Sequence, residues 1–364
     1  MKKQRYKVLG VMSGTSLDGV DLALCYFDMH EKITYEMPLA KTIAYSNHWK
    51  SRLQSAVGFS SKELTQLDLE YTKYLGDIIT TFIAQNNIKD LDAVCSHGHT
   101  VLHRPDQGVT LQIGNLEQIS KIIKQTVVCD FRVQDLLFGG QGAPLVPLGD
   151  LLLFSKYDYC LNLGGFANIS KVSSGVSIAY DICPVNVVMN HYAQKLAHPY
   201  DSGGELAKSG NVLPDVLKLL DALPYYKLHP PKSLGVEWVY REIMPILNAS
   251  QAKEVDILRT CVAHFASQIA QQFNPGSSVL VSGGGTYNNF LLEQIKVHID
   301  VSLVVPSKTL IEFKEALIFG LLGVLKLRDE VNCLSSVTGA KHNHSSGVVF
   351  LNKFAIAFIV VVIS

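Results

Sequence analysis

The chain has 364 residues, enough for about two domains, and 48% of them are apolar, enough for large buried cores. Its 32 basic and 32 acidic residues cancel, and no long basic block interrupts them, which argues against nucleic acid as the main partner. The seven cysteines stand singly with no CxxC pair, which argues against a disulfide framework and a cysteine zinc site and points to a reducing cytoplasm.

The start, MKKQRYKVLG, has no apolar h-region, so no signal peptide is expected. Strands are predicted near Tyr6–Val11, Val20–Phe27 and Ile33–Tyr45. Between the first two lies a run of small and hydroxyl residues, Ser13 to Ser16, closed by Asp18, Gly19 and Asp21. Such a hairpin tip leaves amides and hydroxyls free for phosphate oxygens, and a carboxylate beside them can hold Mg²⁺. An ordinary polar turn reads equally well from this stretch alone. It is neither a P-loop nor a dinucleotide fingerprint, because the lysine and the glycine spacing are missing.

Ser60 to Glu63 matches a capping box, and apolar residues at helical spacing extend a helix to about Gln85. A short strand, Leu91–Cys95, is expected to deliver Ser96-His97-Gly98-His99-Thr100 at its C-terminal end, where open α/β sheets bind ligands. His97, His99 and His103 suit hydrogen bonding to a polar ligand better than metal ligation, since no partner carboxylate stands at a recognisable spacing. A second strand, Val127–Cys129, opens into Asp130, Arg132 and the glycine loop around Gln141, a set fit for a polyol or carboxylate. A salt bridge and a plain loop would look the same.

From about Asp150 the pattern restarts. Tyr159–Leu163 is a strand followed by Gly164-Gly165 and a second strand, and a strand closing on Asp181 leads into a helix near Val187. A helix from Asp256 to Phe273 precedes the strand Ser277–Val281, which ends in Ser282-Gly283-Gly284-Gly285-Thr286-Tyr287-Asn288. A glycine turn there lets a base and ribose lie against bare backbone, and a plain helix-entry loop is equally common. Lys314 to Gly323 predicts a helix whose Ala316, Gly320 and Gly323 allow close crossing. Phe354–Ile363 is almost wholly apolar but far short of the ~20 residues a membrane helix needs; a buried strand or a sticky tail is expected. No membrane partner is expected.

Taken in order, MSGTSLDGVD at Met12–Asp21, HGHT at His97–Thr100, LQIGN at Leu111–Asn115, DFR at Asp130–Arg132, GGQGAPLVP at Gly139–Pro147, LNLGGFAN at Leu161–Asn168, SGGGTYN at Ser282–Asn288 and KEAL at Lys314–Leu317 resemble the anhydro-N-acetylmuramic acid kinases. These belong to the sugar kinase/Hsp70/actin superfamily. The resemblance covers about Val8 to Gly347. It implies an α/β fold of two actin-like, ribonuclease H-like domains flanking a nucleotide cleft. Residues 1–155 and about 325–364 would form the first domain, and 156–324 the second.

The implied reaction opens the 1,6-anhydro bridge of 1,6-anhydro-N-acetylmuramic acid with ATP, Mg²⁺ and water, giving N-acetylmuramic acid 6-phosphate and ADP in peptidoglycan recycling. The resemblance makes Asp181 the base. It gives the phosphates to Gly14, Thr15, Ser16, Leu17, Asp18, Gly19, Val20 and Asp21, with Asp18 near Mg²⁺ through water. Gly283, Gly284 and Asn288 would meet adenosine, and His97, Asp130, Arg132, Gln141 and Glu315 the small-molecule sugar. Domain closure about both substrates and a homodimer are further expectations of the likeness.

Two departures stand out. The family's DTGPGN reads Asp181-Ile182-Cys183-Pro184-Val185-Asn186 here, putting backbone approach to phosphates in doubt at two lost glycines. His99 stands where glutamine is usual, which could add pH dependence. Two other classes compete: an ATP-driven conformational switch of the actin or Hsp70 kind, and a metal hydrolase built on His97, His99 and His103. Asp181 and the sugar-binding set argue against the first, and metal analysis of the purified protein decides the second.

Overall fold

The computed structural model describes residues 2–173, 176–230 and 232–351. The apolar tail expected at Phe354–Ile363 lies outside them. The chain divides into two compact units, Met1–Leu153 with Phe313–Ser364, and Phe154–Glu312.

The first unit is built on a sheet of seven strands. These are β1 (Arg5–Ser13), β2 (Gly19–Asp28), β3 (Thr34–Ala44), β4 (Ala93–Arg104), β5 (Val109–Ile113), β6 (Val127–Cys129) and β12 (Val348–Phe350), ordered β12-β6-β4-β1-β2-β3 with β5 on β4. β1 pairs antiparallel with β2 and parallel with β4, and β4 pairs parallel with β6. The second sheet holds β7 (Tyr159–Leu163), β8 (Phe166–Ser173), β9 (Val176–Pro184), β10 (Ser278–Ser282) and β11 (Ser302–Val304), ordered β11-β10-β7-β8-β9. Its pairing repeats the first: an antiparallel meander β7-β8-β9, then β10 and β11 added parallel to β7. Each unit is thus the same α/β motif, the duplication of an actin-like fold.

Sequence explains the layering. β1 runs as a nearly continuous buried stretch, as a strand covered on both faces must. One cover is the helix Ser61–Gln85, which starts with the expected capping box: Ser60 and Glu63 exchange bonds between side chain and backbone. Its buried stripe, Leu67, Tyr71, Leu75, Ile79 and Phe82, packs on Leu9, Val11, Leu22 and Val94. The second core joins Leu161, Leu163, Ile169 and Ile182 to Leu258, Val262 and Phe265 of the helix Glu254–Ala270.

Two expectations change. The second domain boundary, expected near residue 325, falls at Glu312–Phe313, inside the helix Lys308–Leu327. The cause is contact: a side chain at Gly10 of β1 would collide with the Ala316 carbonyl, and Gly320 lies against Val8 and Phe27. The helix from Phe313 onward therefore packs as part of the first unit. The strand expected to end at Cys95 runs on to Arg104, so His97 to Thr100 lie within β4. Gly98, at φ +74°, breaks the parallel register with β1, and the strand continues as a hairpin arm on β5.

Gly10→Ala should destabilise the protein by about 1–3 kcal/mol, because backbone rather than a flexible side chain blocks the new methyl. The urea midpoint of the purified variant measures this; an unchanged midpoint would refute the close approach.

Candidate active site

The β1–β2 hairpin ends in a tip whose Thr15, Ser16 and Asp18 are exposed, with Leu17 in the left-handed region at φ +60°. The Leu17 N–H closes the turn on the Gly14 carbonyl at 3.3 Å, and the Asp18 carbonyl accepts from Tyr45 N–H at 3.2 Å. The Asp18 carboxylate makes no hydrogen bond or ion pair among the described residues. Other members of the stretch serve the fold. Val20 is fully buried, Gly19 lies hard against Ile43 of β3, and Asp21 accepts from the Thr42 hydroxyl at 2.6 Å.

Beneath the tip a buried polar chain fixes its root. Ser13 Oγ bonds His99 Nδ1 at 2.8 Å and the Tyr45 hydroxyl at 2.6 Å, and Tyr45 bonds the Tyr71 hydroxyl at 2.5 Å. Desolvation drives His99 down to about 4, so it is a neutral hydrogen-bonding group at ordinary pH.

His97 is committed elsewhere. Its Nδ1 donates to the Gly98 carbonyl at 3.0 Å, which leaves Nε2 to accept from Arg132 Nε at 2.9 Å. Burial first, and the Arg132 charge second, hold its pKa well below the usual value. It therefore acts as a neutral acceptor that aims Arg132, and both its nitrogens are engaged within the protein. Arg132 also donates to the Gly142 carbonyl at 2.6 Å. Desolvation lowers it to about 10 against the opposing field of Glu315, so it stays charged. Asp130 sits nearby at φ +57°, its pKa raised by desolvation and then by Asp68. Gln141 is exposed, and Glu315 is exposed on the helix Lys308–Leu327 beside the buried Lys314–Asp150 ion pair of 2.7 Å. His103 turns to Thr110 at 3.1 Å, so the three histidines serve three separate hydrogen bonds.

In the second unit Asp181 sits on β9 opposite Asn168. One carboxylate oxygen accepts from Leu234 N–H at 2.9 Å. The same residue's carbonyl accepts from Tyr225 OH at 2.7 Å, and its N–H donates to the Lys232 carbonyl at 3.2 Å. Desolvation raises its pKa, with the Leu234 amide opposing. Sequence reasoning missed this brace, Tyr225 and Lys232–Leu234, because nothing near Asp181 in the chain points to partners more than 40 residues away.

The glycine loop after β10 divides in two. Gly283, at φ +82°, and Gly285 press on the end of β7 at Leu163, whereas Gly284 faces open space. Asn288, buried, caps the helix Asn289–His298 by accepting from Leu291 N–H at 2.9 Å. Its side-chain oxygen is thus spent on the fold.

The family profile described as anhydro-N-acetylmuramic acid kinase matches residues 6–352. The chain belongs to the anhydro-N-acetylmuramic acid kinase family. An anhydro-N-acetylmuramic acid kinase of Sulfurimonas denitrificans is 32% identical, over 94% of this chain and 98% of its own length. Those of Bacillus cereus and Francisella tularensis subsp. novicida are also 32% identical, over 92% and 94% of this chain and 97% of each relative. As a member of this kinase family the chain is a phosphotransferase. Its two lost glycines in the Asp181–Asn186 stretch now have a place: Cys183 and Val185 are fully buried in the second core. The Val185, Asn186 and Val187 amides donate to the Gly164 and Gly165 carbonyls at 2.8–3.3 Å, so this helix start is already paired with the hairpin turn. No helix of the described residues is long and apolar enough to cross a membrane.

His99 gives the fold a pH dependence. Between the ordinary 6.5 and about 4, the unfolded chain binds the proton and the folded chain does not, so stability falls as pH falls through that window. Wild type should lose up to about 3 kcal/mol more than His99→Gln across it, His97 contributing equally to both. Denaturation curves of the two proteins over this range check it; parallel losses would refute the assignment.

Proposed function

We propose that the chain opens 1,6-anhydro-N-acetylmuramic acid with water while passing the γ-phosphoryl group of ATP to O6, releasing N-acetylmuramic acid 6-phosphate and ADP. Asp181 takes a proton from the water as its oxygen attacks the anomeric carbon. The bond from that carbon to O6 breaks, and the released O6 bonds phosphorus as ADP departs. Because phosphorus captures O6, no second carboxyl group is needed to protonate it. The observation that carries this reading is the setting of Asp181. One main-chain amide orients it, a free lone pair remains to take a proton, and a raised pKa makes it a better base.

The other roles follow the chemistry of each group. Thr15, Ser16 and the backbone from Gly14 to Asp21 would bind phosphate oxygens, Val20 through its amide alone. Asp18 fits Mg²⁺ through water, since its exposed carboxylate has no protein partner among the described residues. When bound, Mg²⁺ supplies charge neutralisation at the phosphates. Gly284 offers bare backbone to adenosine, with Gly283 and Asn288 shaping the loop. Arg132, Asp130, Gln141 and Glu315 would hold the sugar's carboxylate, amide and hydroxyls, and His97 would serve by aiming Arg132. Seven buried cysteines with no CxxC pair suit the cytoplasm, the compartment that supplies ATP.

Purified protein with Mg-ATP should release ADP only when the anhydro-sugar is present, one 6-phosphosugar per ADP. Asp181→Asn should lower that turnover at least a thousandfold while ATP affinity stays within about threefold. ADP release indifferent to the sugar would overturn the kinase reading. Near-normal turnover of Asp181→Asn would remove only its role as base.

A further inference from the structure

Behind the glycine loop at Gly142, and given no role above, one group of metal-binding side chains has converged among the described residues. Asp135, Cys333 and His344 are buried, 0%, 1% and 6% exposed, and one donor atom of each lies within 4.8 Å of the others. Cys333 Sγ is 3.0 Å and His344 Nε2 3.5 Å from the same Asp135 Oδ1. His344 Nδ1 donates to the His342 carbonyl at 3.1 Å, which leaves Nε2 bare. That nitrogen is buried, has no hydrogen-bond partner among the described residues and points at the carboxylate. A lone pair facing a carboxylate oxygen across a dry gap is repelled unless a cation stands between them.

We propose that Asp135, Cys333 and His344 form a zinc site that fastens the Cys333–His344 segment to the glycine loop at Gly142. Tetrahedral zinc with nitrogen, oxygen and sulfur ligands sets them about 3.3–3.6 Å apart, and the two spacings to Asp135 Oδ1, 3.0 and 3.5 Å, lie close to that range. The supporting bonds are in place. The His342 carbonyl fixes the imidazole tautomer, and Gly142 N–H holds the other Asp135 oxygen at 2.7 Å. A thiolate and an imidazole select zinc over Mg²⁺ or Ca²⁺. On binding, Zn²⁺ replaces the thiol proton that Cys333 now donates to Asp135, and that proton leaves to solvent. Water or the Thr338 hydroxyl, 2.8 Å from Asp135 Oδ1, fills the fourth position. Because Gly142 also accepts from Arg132, the ion would stiffen the loop that supports that guanidinium.

Titration of the full-length, metal-stripped protein with Co²⁺ tests this. One equivalent should bind with a sulfur-to-cobalt charge-transfer band, and Zn²⁺ should displace it. Cys333→Ser should abolish the band, and His344→Gln should weaken binding at least tenfold. His298→Asn, at an exposed histidine outside the group, should leave both unchanged. No thiolate band in the wild type would overturn the site. That experiment decides even if Cys333→Ser fails to fold. A band of the same strength in Cys333→Ser would equally overturn it.

Discussion

The proposed reaction turns on how one carboxylate is held. As its base, Asp181 must be basic enough to take a proton from water and fixed enough to face the carbon under attack. These demands conflict, because each hydrogen bond that fixes a carboxylate also lowers its pKa. The structure meets them by spending one amide, Leu234 N–H, on one oxygen and fixing the rest through Asp181's own backbone, by Tyr225 and Lys232. Burial then raises the pKa that the single amide lowers. A second amide on the same carboxylate would hold it harder and make it a poorer base.

Arg132 shows the same economy with the sign reversed. A desolvated guanidinium needs partners, yet a carboxylate partner would cancel the charge it offers an anionic ligand. Its direct partners here are neutral: the His97 ring and the Gly142 carbonyl. Neutrality of His97 follows from its burial beside that charge. The acids around it, Glu315 and Asp135, act through their fields. The guanidinium is aimed without being neutralised.

Much of this was legible in the sequence, and what was hidden shares a cause. The two hairpins announce themselves by apolar, small, apolar order, and the long helix by its capping box and spacing. Those are local signals, written within a few residues. Leu234 braces Asp181 from 53 residues away, and no local pattern marks it. Asp135 and Cys333 are 198 residues apart, so a search for paired cysteines passes over them. The boundary at Glu312–Phe313 falls within one regular helix, whose periodicity does not change where its packing partners do. Asn288, which the resemblance gives to adenosine, also caps the following helix, a bond that the family motif does not reveal.

The central claim is that water attacks carbon while phosphorus receives the sugar's own oxygen. Reaction in H₂¹⁸O, quenched within the first turnovers and compared with the exchange rate of the free product, reads this directly. The account predicts ¹⁸O at the anomeric carbon and none in the 6-phosphate. Label in the phosphoryl group would mean that water attacks phosphorus, and would contradict it.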